Sequence, residues 1–269
     1  MTSRSLRDEL LAKARTVKVL PAVTTIVDKI FRLLNDQDSS FNQLMEVVGY
    51  DQAITSKIIS IANSAFYGRG VQIMTLKRAM ISIGFDEIRS IVTCLILRDN
   101  ILRHLKLNPG DLKALWMHVL SVACSAEMLA AKTGADDPEK VFTASLLHDL
   151  GKVILYMHDS AYRQALDEAL HDGKDACAFE RGLYGVDHEE LGTSLALKWR
   201  LPEEIAAVIS HHHGPVGEAV DPMLRIVRIV DRFCMNPTID LGIEGMILSR
   251  QRADVEKYVD QITELLESV

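Results

Sequence analysis

The stretch DPEKVFTASLLHDLGKVIL, residues 137–155, decides the fold class. It opens on Asp137-Pro138, a capping residue followed by proline at the first helical position, where its missing N–H costs nothing. Val141, Leu146, Leu147 and Val153 then recur at helical spacing, so the segment is expected to be one apolar helix. Inside it stand His148 and Asp149. A buried carboxylate is costly unless it is paired or bound to a metal, so this pair marks where chemistry is to be sought. Adjacent helical residues point about 100° apart, yet two such side chains can converge on one ion from one helix edge. Lys152 follows just past a turn from His148, in reach of a phosphate bound there.

Outward from this stretch the spacing stays helical. Toward the N-terminus, Asn108-Pro109-Gly110-Asp111 is the clearest punctuation, and a subdomain boundary is expected there. It precedes a helix carrying Leu112, Leu115, Trp116, Leu120 and Cys124. Before it, Leu6, Leu10, Leu11 and Ala14 share one face of a first helix. Leu20-Pro21 interrupts the chain, and Ile26, Ile30, Phe31 and Leu34 define a second helix ending near Asn35-Asp36. Ser39 or Ser40 is placed to cap a third helix through Leu44, Val47 and Val48. Gly49-Tyr50-Asp51 separates it from a stripe of Ile54, Ile58, Ile59 and Ala62. Thr75 caps a helix through Met80 and Ile83 that stops at Gly84. Asp86 opens another, running through Ile91, Leu95 and Leu97. Toward the C-terminus, helices fit 160–172, 187–199, 202–212 and 221–235, and a last stripe runs from Val255 to Leu266. No strand alternation or internal repeat is seen, so the chain is expected to be all-α: an N-terminal helical subdomain (1–108), a helical core (109–236) and a helical extension (237–269).

Composition bounds the function classes. At 269 residues with 48% hydrophobic and 25% charged content, the chain has the balance of an ordinary soluble globular protein, which excludes wholesale disorder. It can bury a core without metal or disulfide staples, so a metal site would serve function or local order. The net charge of −7, with no dominant basic block, argues against bulk nucleic-acid binding and leaves room for a local basic pocket. No uninterrupted apolar run reaches the roughly 18 residues of a membrane span, and the N-terminus has no apolar stretch for a signal peptide. Cys94, Cys124, Cys177 and Cys234 form no C-x-x-C pair and read as small buried hydrophobes in a reducing cytoplasm.

The remaining polar groups gather around histidine. His118 sits on the apolar helix after Pro109, His188 opens a helix at VDHEELG, and His211, His212 and His213 end one before Gly214-Pro215. Asp231 is a single acid on the apolar face of RIVRIVDRF. Taken singly, each histidine reads more readily as a hydrogen-bonded core group than as a ligand. Taken together, imidazoles and carboxylates suit a divalent transition metal (Fe, Mn, Ni or Zn), and six or seven candidates are enough for one or two ions. His104, His158 and His171 read as surface residues. In ANSAFYG (62–68), Asn63, Ser64 and Tyr67 read as a helix end, with Phe66 and Tyr67 packed inward and Gly68 turning the chain, more readily than as a ligand surface.

Several stretches together resemble one family: KVLPAVTTIVDKIFRLLND (18–36), ISIANSAFYG (59–68), LKRAMISIGFDEIRSIV (76–92), LLHDLGK (146–152) and YGVDHEELGTSLALKW (184–199). The chain resembles the HD superfamily of metal-dependent phosphohydrolases, specifically its HDOD branch, over roughly 17–235. The resemblance implies an all-helical fold in two packed parts. It also implies metal roles: His118 matches the first metal histidine, His148-Asp149 the HD pair, and Lys152 the lysine after it, with Asp149 and Lys152 as the catalytic pair of an active member. His188, then His212-His213, then Asp231 match the further ligands of the HD-GYP branch, with His211 in place of His213 if the alignment slips by one. Two departures point away from cyclic di-guanylate hydrolysis: Gly214-Pro215-Val216 replaces the glycine-tyrosine-proline motif, and Ala114 stands where a three-metal site has glutamate. The family implies a bacterial-type signal-transduction module with a signalling-protein partner or a small phosphorylated ligand; the alternative is a metal-dependent phosphohydrolase or phosphodiesterase. No receiver, kinase or DNA-binding segment is read, so the trigger is expected to be a small molecule, a partner or the metal.

Overall fold

The computed structural model describes residues 3–16, 41–49, 52–68, 70, 72–95, 97–98, 102, 107–217 and 219–267. Among these residues every regular element is a helix: α1 (Ser3–Thr16), α2 (Phe41–Gly49), α3 (Gln52–Ala62), α4 (Leu76–Ile83), α5 (Phe85–Leu95), α6 (Pro109–Thr133), α7 (Pro138–Leu147), α8 (Lys152–His158), α9 (Tyr162–His171), α10 (Ala176–Tyr184), α11 (His188–Lys198), α12 (Glu203–His211), α13 (Pro222–Met235) and α14 (Gly242–Glu267). The fold is all-α. The Leu20-Pro21 break, the second helix, the Ser39/Ser40 cap and His104 lie outside the described residues.

Helix starts follow side-chain caps. Thr75, Asn108, Asp137, Asp175, Asp187 and Asp221 each accept a hydrogen bond from a first-turn N–H of the helix that follows, replacing partners that a helix end lacks. Three of these helices, α6, α7 and α13, also begin with proline.

The central helix is α6, covered by α7, α13 and α14. By length and composition it would reach across a bilayer, which the count of uninterrupted apolar residues did not register. Here most of that stretch is buried within the bundle. The C-terminal stripe packs inward against α6: Val259, Ile262 and Leu266 are buried, and Trp116 Nε1 donates to Thr263 Oγ1 at 3.2 Å. The first helix lies against α8, α10 and α11, with Leu10 and Ala14 fully buried there and Arg7 paired to Glu190.

Three local expectations change. First, the stretch 137–155 is two helices: α7 ends at Leu147, α8 begins at Lys152, and His148–Gly151 form turns between them. The cause is close backbone contact. A Cβ on Gly151 would stand 1.8 Å from the His188 carbonyl oxygen and 2.6 Å from the Gly192 nitrogen, so α11 occupies the space a side chain would need. Second, α5 ends at Leu95, and Leu97 and Arg98 follow in a π-type turn. Third, Phe66 is 46% exposed, not packed inward. The rest of ANSAFYG is a helix end: Asn63 bonds both the N–H and the carbonyl of Ile73, and the Tyr67 hydroxyl donates to Glu87 at 2.6 Å.

Candidate metal centre

Four helices and the turns after α7 and α12 deliver the polar core. His118 comes from the middle of α6, His148 and Asp149 from the α7–α8 turns, and Lys152 from the first position of α8. His188 is the first residue of α11, His212 and His213 follow the end of α12, and Asp231 lies on α13. The helix break places His148 and Asp149 in turns, where they approach Asp231 of α13 and His188 of α11.

Asp149 sits at the middle. Its Oδ2 lies 3.2 Å from His118 Nε2, 3.4 Å from His148 Nε2 and 2.7 Å from Lys152 Nζ. Its Oδ1 lies 3.5 Å from the Nε2 atoms of both His188 and His212. On the first side, Asp231 Oδ1 approaches His118 Nε2 at 3.2 Å and His148 Nε2 at 3.6 Å. On the second, His213 joins Asp149, His188 and His212 in a group whose donor atoms all lie within 4.8 Å of one another. The structure thus brings together every residue singled out as a candidate ligand. It places His213, not His211, beside His212; His211 is exposed and turns its Nδ1 to the Ala207 carbonyl.

The outward nitrogens fix the tautomers. His148 Nδ1 faces the Ser145 carbonyl at 2.6 Å, and His212 Nδ1 faces the Ile209 carbonyl at 3.2 Å. A carbonyl only accepts, so each Nδ1 carries the proton and each Nε2 is turned inward. His188 Nδ1 faces Glu180 Oε2 at 2.6 Å. The inward Nε2 atoms of His188 and His212 then meet at 3.1 Å, an arrangement that needs a cation or a proton between the lone pairs.

Electrostatics follow from burial and charge. Burial pulls His148 down, but the Asp149 and Asp231 carboxylates outweigh it and hold the imidazole up at about 10. Burial, with help from the cationic neighbours His148 and His188, pushes His212 down to about 4 against its contact with Asp149. Burial alone would raise the Asp149 carboxyl; Lys152 and His148 reverse that and keep it well below the usual range. Asp231 is likewise held low, against burial, by His118 and His148.

The arrangement fits metal ions by its own unsatisfied atoms. His118 Nε2, His148 Nε2, Asp149 Oδ1 and His213 Nε2 are buried and lack a hydrogen bond of acceptable geometry, despite the short approaches above. An unsatisfied buried polar group costs about 1–3 kcal/mol, so convergence of four calls for a partner. His118, His148, Asp149 and Asp231 could hold one ion, and Asp149, His188, His212 and His213 a second, with one carboxylate oxygen for each. Nitrogen and oxygen donors in this ratio suit first-row transition ions. A cavity of about 260 Å³ opens over Lys152, His213 and Asp231, with Lys174 and Arg232 adding positive charge, Asp175 a negative one, and Leu170, Met235 and Ile239 an apolar wall.

Sequence reasoning missed the supports. Glu180, Glu189 and Arg228 are each one charge among several on their helices, and the sequence does not single them out. Glu189 accepts from the His213 N–H at 2.9 Å. Arg228 is buried and donates to the carbonyls of His211 and Pro215, tying the histidine turn to the helix of Asp231. A side chain on Gly214 would strike that guanidinium at 2.2 Å, and this is the signal HHHGP carried.

Comparison with known proteins agrees with this fold. The HDOD domain family matches residues 20–215. An HDOD domain protein with unknown function from Geobacter sulfurreducens is 24% identical, with TM-score 0.74 over 96% of this chain and 97% of that one. A candidate signal transduction protein from Marinobacter aquaeolei VT8 is 20% identical, with TM-score 0.72 over 99% of this chain and 64% of that one. A candidate phosphohydrolase from Shewanella amazonensis SB2B is 21% identical, with TM-score 0.70 over 94% and 97%. An uncharacterized protein of Treponema pallidum (strain Nichols) is 23% identical over 93% of this chain, which spans about half (49%) of that relative's length. Through the family match, which covers most of its length, the chain belongs to the HDOD family.

Proposed function

We propose that this HDOD chain binds two divalent transition ions at the His/Asp centre and hydrolyses a small phosphoester drawn into the adjoining cavity. One observation carries the reading: buried, unsatisfied ligand atoms converge beneath a cavity whose lining holds Lys152, Lys174 and Arg232. Bound metal supplies a hydroxide near neutral pH and polarises phosphate oxygens. The chain's own groups do the rest. Asp149 offers one oxygen to each half of the centre. Lys152, buried beside it, supplies a fixed positive charge for a phosphoryl oxygen. Lys174 and Arg232 draw the anion in, and Leu170, Met235 and Ile239 give the cavity one apolar side. Four free thiols suit a reducing, cytoplasmic setting.

A second reading is favoured by one contact. Lys152 Nζ already compensates Asp149 Oδ2 at 2.7 Å, as expected of a signalling module that keeps the centre for local order and answers to a partner protein without turnover.

Elemental analysis of the purified protein, before and after loading with Fe, Mn, Ni or Zn, tests both. One to two equivalents of metal, lost in Asp149→Ala, and metal-dependent hydrolysis of an aryl phosphomonoester or phosphodiester support the hydrolase. Metal without hydrolysis moves the conclusion to the module. No metal after loading sinks both forms of the site.

A further inference from the structure

Glu180 is wholly buried on α10 and belongs to neither half of the centre as drawn above. Both its oxygens are used. Oε2 accepts from the His188 backbone N–H at 2.8 Å and from His188 Nδ1 at 2.6 Å. Oε1 accepts from the Tyr162 hydroxyl at 2.5 Å. Tyr162 is itself fully buried on α9. The carboxylate is therefore held from one side by a phenol and grips one residue, twice, on the other.

This grip distinguishes His188 from its neighbours. His148 and His212 lean on carbonyl oxygens, which are neutral acceptors, and the Glu189 carboxylate stands 3.7 Å from His212 Nδ1, beyond hydrogen-bond distance. His188 leans on a charged one. A carboxylate behind an imidazole fixes the ring and raises the basicity of its far nitrogen. That far nitrogen is the Nε2 that stands 3.1 Å from His212 and 3.5 Å from Asp149 Oδ1.

We propose that Glu180, braced by Tyr162, is a positioning residue for one half of the centre only: the ion held by Asp149, His188, His212 and His213 depends on it, and the ion held by His118, His148, Asp149 and Asp231 does not. The inference rests on the two-ion reading above. Removal of a supporting partner of this kind lowers metal affinity by about 10- to 100-fold.

The test is a Co²⁺ titration of the metal-stripped protein, followed by visible absorption and by competition with a chelator. His188→Ala gives the reference spectrum for loss of the dependent half. Glu180→Gln keeps size but removes the charge. It is expected to weaken one Co²⁺ by about 10- to 100-fold, the same ion that His188→Ala loses, while the other keeps its affinity and its absorption band. Tyr162→Phe is expected to weaken that same ion by less. It also keeps the test decisive if Glu180→Gln does not fold. A selective change of this kind is not what a general loss of packing produces. Wild-type affinity at both ions in the variants overturns the proposal, as does equal weakening of both or loss of the ion that His188→Ala retains. Wild-type protein that binds no Co²⁺ overturns the two-ion reading itself, so the two failures are distinguishable.

Discussion

Asp149 divides its two oxygens between two sets of histidines, and Lys152 is the only cation of a lysine or arginine among the described residues found on it. Read as a phosphate contact, Lys152 also has a duty in the protein without metal. Burial would strip its proton, and the Asp149 charge outweighs that and raises its pKa above the usual value. Without Lys152, Asp149 keeps the neighbouring His148 imidazolium but loses a charged hydrogen bond, worth about 1.5–3 kcal/mol. Lys152→Ala is therefore expected to destabilise the metal-stripped protein by that order in guanidinium unfolding, and by less once metal is bound. Equal losses with and without metal would mean that the ions do not share the Asp149 charge. The HD pair and its following lysine were legible because their residue types are out of place among leucines. Glu180 was not legible: a glutamate in AFERGLY looks like a solvated charge, and only the position of His188 in space reveals its burial.

At the scale of elements, starts were easier to read than breaks. Asn108, Asp137 and Thr75 announce helices through chemistry that acts within a few residues. The gap between α7 and α8 has no such local mark, because Leu147, Leu150 and Val153 keep a helical spacing across it. What opens the gap is the approach of α11, some forty residues later in the chain, onto Gly151. Gly151→Ala puts this account at risk. By helix propensity alone, alanine stabilises by about 1 kcal/mol. Here its Cβ would meet backbone atoms at 1.8 Å and 2.6 Å, which cannot swing aside as a side chain can. Loss of about 3 kcal/mol or more is expected, read as a lower melting temperature by circular dichroism, with weakened metal binding because His188 must move. A variant as stable as the wild type would show that the helices do not meet there. The two-helix arrangement could not have been read from periodicity, which reports faces and not neighbours.

Across the whole molecule, tyrosines tie distant parts together through carboxylates. Tyr67 from the turn after α3 and Tyr258 from α14 both donate to Glu87 on α5, so one acid joins two elements of the N-terminal third to the last helix. Tyr162 donates to Glu180, and Tyr184 to Asp159 at 2.9 Å. The resemblance to a family placed these segments in one fold, yet no spacing in the sequence pairs residue 67 with residue 258. The contacts have a common electrostatic result. Burial first, and then the neighbouring carboxylates, raise the phenols of Tyr67, Tyr162, Tyr184 and Tyr258, while burial and Asp149, opposed by Lys152, leave Tyr156 at about 12. A phenol whose pKa is raised by folding contributes no pH dependence below its unfolded value near 10. Above that value the unfolded chain loses protons that the folded chain keeps, so stability falls as pH rises, by up to about 1.4 kcal/mol per pH unit for each such group. Followed at 295 nm, at most one of the six tyrosines is expected to ionise near pH 10. The other five should appear at higher pH together with loss of the helical circular dichroism signal, as one cooperative step. Five phenolates forming near pH 10 in protein that is still helical would show that these hydroxyls are open to water, and that the ties between α3, α5, α9, α10 and α14 do not hold in solution.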